Sequence, residues 1–253
     1  MILGNARSNG RHITPCEQCP LRPLPCLRAF TPDEVSFVQH FKSDELRVEA
    51  GASFLREGSR SDYLYTVLDG WAFRYKMLDD GRRQILNFAL PADMVGLQGA
   101  VMKEMEHSVE ALTPLTLCVF PRARLYELYT QAPNLAFDVT WLAAREEQMV
   151  DEHLLSVGRR SALERVAYLL LHLFARAKEL RMTKGDAIQF PFAQQHLADT
   201  LGMSLVHTNK TIKRLLASGS VRWQGRTFEL LDRAALVEIA RADVPPIKER
   251  PFI

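Results

Sequence analysis

Three cysteines near the start of the chain are the residues best suited to metal or redox chemistry. Cys16, Cys19 and Cys26 form a Cys-x2-Cys-x6-Cys pattern and make up three of the four cysteines in the 253-residue chain. The three prolines between Cys19 and Cys26 forbid a regular helix or a central strand. The pattern therefore predicts a loop that can fold its thiolates around one centre. In a reducing compartment this favours a metal or redox site over a disulfide framework.

A second group of chemically capable residues lies on a predicted helix-turn-helix between Phe192 and Leu216. Gln194 to Thr200 is predicted as the first helix, and Gly202 stands in the turn where the chain needs a positive φ. Ser204 is a suitable N-cap for the second helix. The residues that recur at helical spacing and are expected to bury one face of that helix are Thr208, Ile212 and Leu215.

The opposite face of the second helix carries side chains that can donate to base edges and phosphates. We expect base contacts by His207, Asn209 and Lys210. Phosphate contacts are expected from Ser204, Lys213 and Arg214, and from Arg226 beyond this helix. The alternative is a solvated charged face on an unrelated helical pair. Between Phe192 and Arg226, however, Asp199 is the single acid against five basic residues. This local charge favours binding to double-stranded DNA.

A hairpin is predicted directly after the helix-turn-helix. Val221 to Leu231 forms two short apolar runs around Gln224-Gly225, a pattern typical of a tight β-turn. A helix-turn-helix followed by a hairpin is a winged helix, whose wing contacts the phosphate backbone.

Composition restricts the class of protein. The formal net charge is only +2, so a nucleic-acid surface must be local, and a hydrophobic content of 47% is enough for a proper core. No apolar run is long enough to span a bilayer, and the first residues lack the apolar region of a secretory signal. We therefore expect a cytoplasmic protein without membrane contacts.

The texture of the chain between Leu46 and Phe120 predicts a β-roll. Short alternating runs punctuated by glycine occur there, with Asp79-Asp80-Gly81 as a hairpin turn. Such runs are typical of a jelly roll. Before them, Thr31-Pro32 marks the start of a helix that reaches about Phe41. Together with the helical second half, this predicts an α+β fold.

A long helix is predicted from Pro133 to about Arg159, a length of about 40 Å. It carries two apolar surfaces, one containing Phe137, Trp141 and Ala144. One surface is expected to pack on the roll and the other on a twin helix across a two-fold axis. The alternative is the core helix of a monomer. The predicted dimer interface consists of Val139, Leu142, Glu146, Val150, His153 and Val157.

These elements divide the chain into five predicted parts. The first four are a cysteine-rich loop (1–30), a β-roll sensor domain (31–132), a dimerisation helix (133–160) and a winged-helix domain (161–243). A proline-containing tail (244–253) follows and is expected to be loosely held.

In this order, the parts resemble the Crp/Fnr family of bacterial transcription regulators. The resemblance is carried by Glu57 to Gly70 (EGSRSDYLYTVLDG) and Leu197 to Gly219 (LADTLGMSLVHTNKTIKRLLASG). It implies a cyclic-nucleotide-binding-like roll, a homodimer on a palindromic DNA site, and recruitment of RNA polymerase.

The resemblance also bears on the signal. Cyclic-nucleotide binders of the family hold the ribose with Glu and the phosphate with Arg, whereas this chain has Gly96-Leu97-Gln98 and His107. A cyclic phosphate would lose its bidentate partner, so cyclic AMP is not expected. The Fnr branch has three N-terminal cysteines and a fourth on a late strand, which matches Cys118. Four thiolates suit a [4Fe–4S] cluster.

The resemblance thus implies a DNA-binding regulator switched by oxygen or redox state through Cys16, Cys19, Cys26 and Cys118. A buried cysteine is common in a strand, so Cys118 need not be a metal ligand. The alternatives are zinc or thiol redox chemistry, another small ligand, and a constitutively active regulator. The recognition helix departs from well-known members, with Val206 and Lys210 in place of Glu and Arg. A metal-dependent enzyme is a remote alternative, because the sequence contains neither HExxH nor GxSxG.

Overall fold

Two four-stranded antiparallel sheets form the first half of the molecule. The computed structural model describes residues 13–242, 244–245 and 249–253. The sheet orders are β1-β8-β3-β6 and β2-β7-β4-β5, and one apolar core lies between them. The strands are β1 Asp44–Val48, β2 Ser53–Leu55, β3 Tyr63–Asp69, β4 Ala72–Met77, β5 Arg83–Ala89, β6 Met94–Val95, β7 Ser108–Ala111 and β8 Leu115–Pro121.

Strand β3 shows why this half folds as a roll covered by helices. Five consecutive residues of β3 are buried, so both of its faces are covered. Tyr65 and Val67 lie in the core between the sheets, whereas Leu64 lies in the larger core that includes Phe41 and Phe120. A continuous apolar run of this kind is typical of a central strand.

Helices cover the roll and lead away from it. The first, α1, begins with a capping box, in which Glu34 N donates to Thr31 Oγ1 at 3.2 Å and Thr31 N donates to Glu34 Oε2 at 2.8 Å. The helices of this half are α1 Pro32–Phe41, α2 Leu97–Met102, α3 Leu125–Gln131 and the 27-residue α4 Pro133–Arg159. The short elements β1, β2, β6 and α2 were not among the sequence predictions.

The second half is a winged helix. A second capping box, between Ser161 and Glu164, starts its first helix. Its elements are α5 Ala162–Glu179, β9 Ala187–Gln189, α6 Gln194–Leu201, α7 Leu205–Ala217, β10 Val221–Gln224, β11 Thr227–Leu230 and α8 Arg233–Ala240. The strands form an antiparallel sheet in the order β10-β11-β9. The fold therefore confirms the predicted class: a β-roll, a long helix and a winged helix-turn-helix.

The tail differs from its prediction. We call residues 249–253 the strap. Arg250, Phe252 and Ile253 are buried, and Arg250 forms a parallel bridge with Leu27 of the cysteine loop. The expectation of a loosely held tail is therefore wrong for the strap, because its apolar and arginine side chains find partners far away in the sequence.

None of the helices within the described residues combines the length and apolar character needed to cross a membrane.

Candidate nucleic-acid interface and thiol site

The turn between α6 and α7 has the geometry that the sequence predicts. Gly202 has φ +63° and ends α6 in the left-handed conformation, with its N–H bonded to Ala198 O. The Ser204 hydroxyl accepts a hydrogen bond from His207 N at 3.2 Å and caps α7. These two local features set the angle at which α7 leaves the turn.

One face of α7 is buried in its own domain. Thr208, Ile212 and Leu215 are buried, as predicted, and so is Thr211. The Thr208 hydroxyl donates to Ser204 O at 3.0 Å, and the Thr211 hydroxyl donates to His207 O at 2.8 Å. Because both hydroxyls are satisfied locally, the threonines can face the core without a desolvation penalty.

The other face of α7 presents a basic surface to solvent. His207, Lys210, Lys213 and Arg214 are exposed, and α7 contains no acidic residue. Asn209 differs from its neighbours, because it is half-buried and its buried Oδ1 has no hydrogen-bond partner among the described residues. The side-chain amide oxygen of Asn209 thus points towards the domain rather than away from it.

Two exposed apolar residues at the start of α7 were not among the predicted contacts. Leu205 is 41% exposed and Val206 is 65% exposed. Apolar side chains directly after an N-cap, on the same face as the basic residues, were the available signal. Such side chains can contact the methyl group of thymine.

The wing carries one further predicted contact. Arg226 is exposed at the turn between β10 and β11, next to Gly225 with φ +59°. Arg222 on β10 instead donates to Glu229 on β11 at 2.7 Å. The tip of the wing therefore presents Arg226, while the charge of Arg222 is compensated within the hairpin.

The helix-turn-helix is bound to the roll through α6. Arg83 of β5 lies 2.8 Å from the Asp199 carboxylate, and the Gln84 amide donates to Thr200 O at 2.9 Å. The guanidinium of Arg83 also lies over the ring of Phe73, 5.0 Å from its centroid. Asp199 is the only acid in the predicted DNA-binding stretch, so Arg83 neutralises the one charge there that would repel phosphate.

Three of the four cysteines share one region. Cys16 begins a short 3-10 helix before α1, and Cys19 caps the end of that 3-10 helix. Cys118 lies on β8 opposite Glu45 and Thr66. Thr14, two residues before Cys16, donates its N–H to Glu45 Oε1 at 2.9 Å, and Glu45 lies opposite Cys118, so Cys16 and Cys19 lie on the side of the roll that carries Cys118. The buried Lys42 ammonium donates to Glu45 Oε1 at 2.6 Å and to Thr14 O at 2.9 Å in the same region.

Burial controls the protonation of these thiols. It raises the pKa of Cys118 to about 12 and also raises the pKa of Cys16, while the nearby Lys42 ammonium opposes the shift at both. Both thiols are therefore protonated near neutral pH.

Cys26 is held by contacts with α5 and the strap. Its thiol donates to Glu179 O, at the end of α5, at 3.3 Å. Its backbone carbonyl accepts from Arg250 N at 2.8 Å. Among the described residues, no three His, Cys, Asp or Glu side chains are grouped so that they could hold a metal. Cys26 is held away because its partners come from α5 and the strap, which no local pattern reveals.

A cavity of about 460 Å³ lies between the roll and α4. It contains the positions at which the cyclic-nucleotide binders named above hold their ligand. Gly96, Leu97, Gln98 and His107 line it together with Arg74, Glu146, Glu147 and Asp151. Burial, together with the charges of Arg74 and Lys76, lowers the pKa of His107 to about 3. His107 is therefore neutral, and Arg74 is paired with Glu146. Glu147 and Asp151 add negative charge to the lining of this cavity, which would repel a phosphate.

The predicted dimer interface on α4 also needs correction. Val139 and Leu142 are buried in the core of their own chain. Glu146 pairs with Arg74, and His153 lies 3.1 Å from the Gln84 amide. Val157 is half-buried, and Val150 is 39% exposed. The stripe faces its own roll because β4 and β5 supply polar partners for Glu146 and His153.

The apolar residues that α4 leaves exposed lie elsewhere on the helix. Phe137 is 69% exposed, Leu154 is 66% exposed and Leu155 is 47% exposed. Trp141, half-buried, lies one turn after Phe137. Phe137, Trp141 and Leu155 lie on the second surface predicted from the sequence, whereas Leu154 lies one turn after Val150. Exposed apolar side chains therefore occur on both predicted surfaces.

Known proteins share the order of a roll followed by a helix-turn-helix domain. The chain matches the family model of the cyclic nucleotide-binding domain over residues 45–132 and that of the Crp-like helix-turn-helix domain over residues 164–239. It is 30% identical to the nitrogen fixation regulation protein FixK of Bradyrhizobium diazoefficiens over 90% of this chain and 94% of that protein. It is 26% identical to the transcriptional activator protein FnrL of Cereibacter sphaeroides, over 90% and 92% respectively.

A solved structure shows the same fold. FixK2 from Bradyrhizobium japonicum superposes with a TM-score of 0.71 at 27% identity, covering 79% of this chain and 98% of that one.

Proposed function

We propose, from the premise that this chain belongs to the Crp/Fnr family of transcription regulators and to its Fnr branch, that it acts as a homodimeric activator whose DNA binding responds to redox state. Like its relatives, the chain is a DNA-binding regulator and not an enzyme. The observation that carries the proposal is the exposed basic face of α7 above a fully buried opposite face.

The proposed mode of DNA recognition places α7 in the major groove. Lys210 donates to guanine O6 and N7, His207 lies beside it, and Val206 contacts a thymine methyl group. The half-buried Asn209 reaches a base only after its side chain rotates. Phosphates are bound by the predicted set of Ser204, Lys213, Arg214 and Arg226, of which Arg226 lies on the wing.

A homodimer would satisfy the apolar surface of α4. Phe137, Leu154 and Leu155 are too exposed for a core helix, and pairing with the same surface of a twin helix would remove them from water. A two-fold dimer presents two copies of α7, which explains a palindromic DNA site. Recruitment of RNA polymerase in the bacterial cytoplasm is the corresponding activating step.

The proposed signal is sensed by the cysteines. Cys16, Cys19 and Cys118 offer soft sulfur donors in one region, and such donors select iron–sulfur centres or zinc. The fit to a [4Fe–4S] cluster is incomplete, because Cys26 is bonded to Glu179 O instead. A cluster held by all four thiolates would supply a centre that oxygen dismantles. Lys42 would place a positive charge beside those thiolates and favour their deprotonated form.

Zinc binding or thiol oxidation is the second candidate for the signal. It is favoured by the same observation, namely three neighbouring thiols with the fourth held elsewhere. Neither requires Cys26 to move.

The deciding experiment is a visible absorption spectrum with iron and sulfide assays on the full chain, purified without air and then exposed to air. We expect a broad absorption band that bleaches in air and is absent from Cys118→Ser, together with DNA affinity that falls on exposure. A colourless protein containing zinc or no metal would reject the cluster. DNA affinity that is indifferent to air would reject redox sensing and favour a constitutively active regulator.

A further inference from the structure

The strap joins three parts of the molecule that are distant in sequence. Arg28 N donates to Arg250 O at 2.9 Å, and Arg250 N donates to Cys26 O at 2.8 Å, so the strap extends the cysteine loop as a short parallel pair. Phe252 stacks on Phe30 with ring centroids 4.8 Å apart and the planes inclined by 10°. The Thr66 hydroxyl on β3 donates to Ile253 O.

Arg250 and the DNA-binding half share one carboxylate. Arg250 Nη1 donates to Asp93 Oδ1 at 2.8 Å, and Arg176 of α5 donates to Asp93 Oδ2. Arg176 also donates to Phe88 O at 2.9 Å, and Arg250 donates to Pro91 O at 3.1 Å. All three side chains are at most one-tenth exposed, so removal of either arginine would weaken a desolvated ionic network.

Cys26 lies where the strap and α5 meet. Its thiol is bonded to the last residue of α5 and its carbonyl to Arg250. Movement of the Cys26 thiol towards the other cysteines breaks its bond to Glu179 O, and movement of the Cys26 backbone also breaks its bond to Arg250 N. The docked strap and the gathering of the four thiols therefore compete for the same loop.

We propose that the strap is an autoinhibitory device, which holds the DNA-binding half against the roll and keeps Cys26 away from the other thiols. Its docked form has low DNA affinity, because Arg250 then completes the Asp93 network that Arg176 of α5 shares, and Cys26 stays bonded to Glu179 O. These contacts hold α5 more firmly against the roll and restrict the adjustment of two α7 helices to successive grooves. Gathering of the cysteines releases the strap, and release of the strap frees Cys26, since such coupling is reciprocal. The direction of this switch rests on the proposed function.

The first test measures the release of Cys26 alone. In a full-length chain carrying Cys16→Ser, Cys19→Ser and Cys118→Ser, Cys26 is the only thiol, and its rate of labelling by a maleimide is followed. We expect Arg250→Ala to speed labelling by at least about tenfold, because it removes a charge-assisted hydrogen bond from a local opening equilibrium. Glu249→Gln is the matched control, since residue 249 is exposed. Equal labelling rates in the two variants would overturn the proposal that the strap holds Cys26.

The second test measures the effect on DNA. Binding to a fluorescent duplex, selected by the wild-type chain from a random library, is measured in the same triple-serine chain. We expect Arg250→Ala to bind at least about threefold more tightly than Glu249→Gln, since part of the docking free energy no longer opposes binding. Unchanged or weaker binding would overturn autoinhibition even if labelling is faster.

Phe252→Ala supplies a second route to release, through loss of the stack on Phe30, if Arg250→Ala fails to fold. Because the triple-serine chain cannot gather four thiols, a negative result here concerns the strap alone. A negative absorption spectrum concerns the cofactor alone.

Discussion

Arg83 of β5 donates Nε to the Asp199 carboxylate of α6 at 2.9 Å, with Nη2 2.8 Å from the same oxygen, and this pair ties the helix-turn-helix to the roll. The Arg83 side chain is 23% exposed and the Asp199 side chain is 12% exposed. The pair is therefore partly desolvated and differs from a freely solvated surface ion pair.

Arg83→Ala should lower the free energy of unfolding by about 1–3 kcal/mol, because it leaves the half-buried Asp199 carboxylate without its cation. Urea denaturation would measure the change. Arg82→Ala is the control, since the Arg82–Asp80 pair is 77% and 54% exposed and its loss should cost less than about 0.5 kcal/mol. Equal effects of the two substitutions would contradict a structural role for the Arg83–Asp199 pair.

Lys210→Ala should weaken DNA binding by about 1–3 kcal/mol and relax base preference at one position of each half-site. Lys210 is exposed on the outer face of α7, so its removal leaves the helix intact. Selection from a random duplex library, performed with the variant and the wild type, would measure the preference. An unchanged preference would remove Lys210 from the base-reading residues.

Lys213→Ala should weaken binding to all sequences alike and reduce the slope of log affinity against log salt concentration by about 1. Its ammonium is exposed one turn after Lys210 and would neutralise one phosphate. Titrations at several salt concentrations give the slope. Arg60→Ala, which alters a 73% exposed side chain on the roll, should leave it unchanged, and the same slope in both variants would exclude a phosphate contact by Lys213.

The sequence predicts the ends of α4 correctly, but it does not predict which residues of α4 face the roll. Pro133 marks the start of α4, and Ser161 caps the start of α5 directly after α4 ends. The faces depend on partners: Glu146 and His153 lie inward because Arg74 and Gln84 reach them. Periodicity reveals two apolar stripes, but it does not reveal which one the chain covers itself.

Leu155→Asp should raise the dissociation constant of the proposed dimer by roughly a hundredfold, because a two-fold axis counts each lost apolar contact twice. Sedimentation velocity over a range of concentrations would measure it. Val139→Ala is the informative comparison, since Val139 is only 1% exposed and its truncation should cost about 2 kcal/mol of folding stability without dissociating the dimer. Dissociation by Val139→Ala alone would restore the interface predicted from the sequence.

The position of Cys26 shows a similar limit on prediction. The spacing of Cys16, Cys19 and Cys26 indicates one centre, whereas the structure holds Cys26 through contacts outside the cysteine loop. The competing contacts come from Glu179 and Arg250, and neither has a local signal near the cysteines. Arg176 does carry a signal, because a charged residue on the apolar stripe of α5 with Leu169 and Leu173 indicates a buried ion pair.

His107 should make stability depend on pH. Its folded pKa of about 3 lies below the ordinary value of 6.5, so below pH 6.5 the unfolded chain binds a proton that the folded chain does not. Stability from this group is therefore complete above pH 6.5 and is lost as the pH falls towards 3, at no more than about 1.4 kcal/mol per pH unit.

His107→Gln, which cannot be protonated, should flatten the decline in unfolding free energy between pH 6.5 and 5, a range in which most carboxylates remain ionised. Urea denaturation at closely spaced pH values would measure the slope. His40→Gln is the control, because His40 is exposed on α1. If the slope is the same in the His107 and His40 variants, His107 is not held neutral by burial, and the cavity beside Arg74 is more open to water than the 3% exposure of His107 implies.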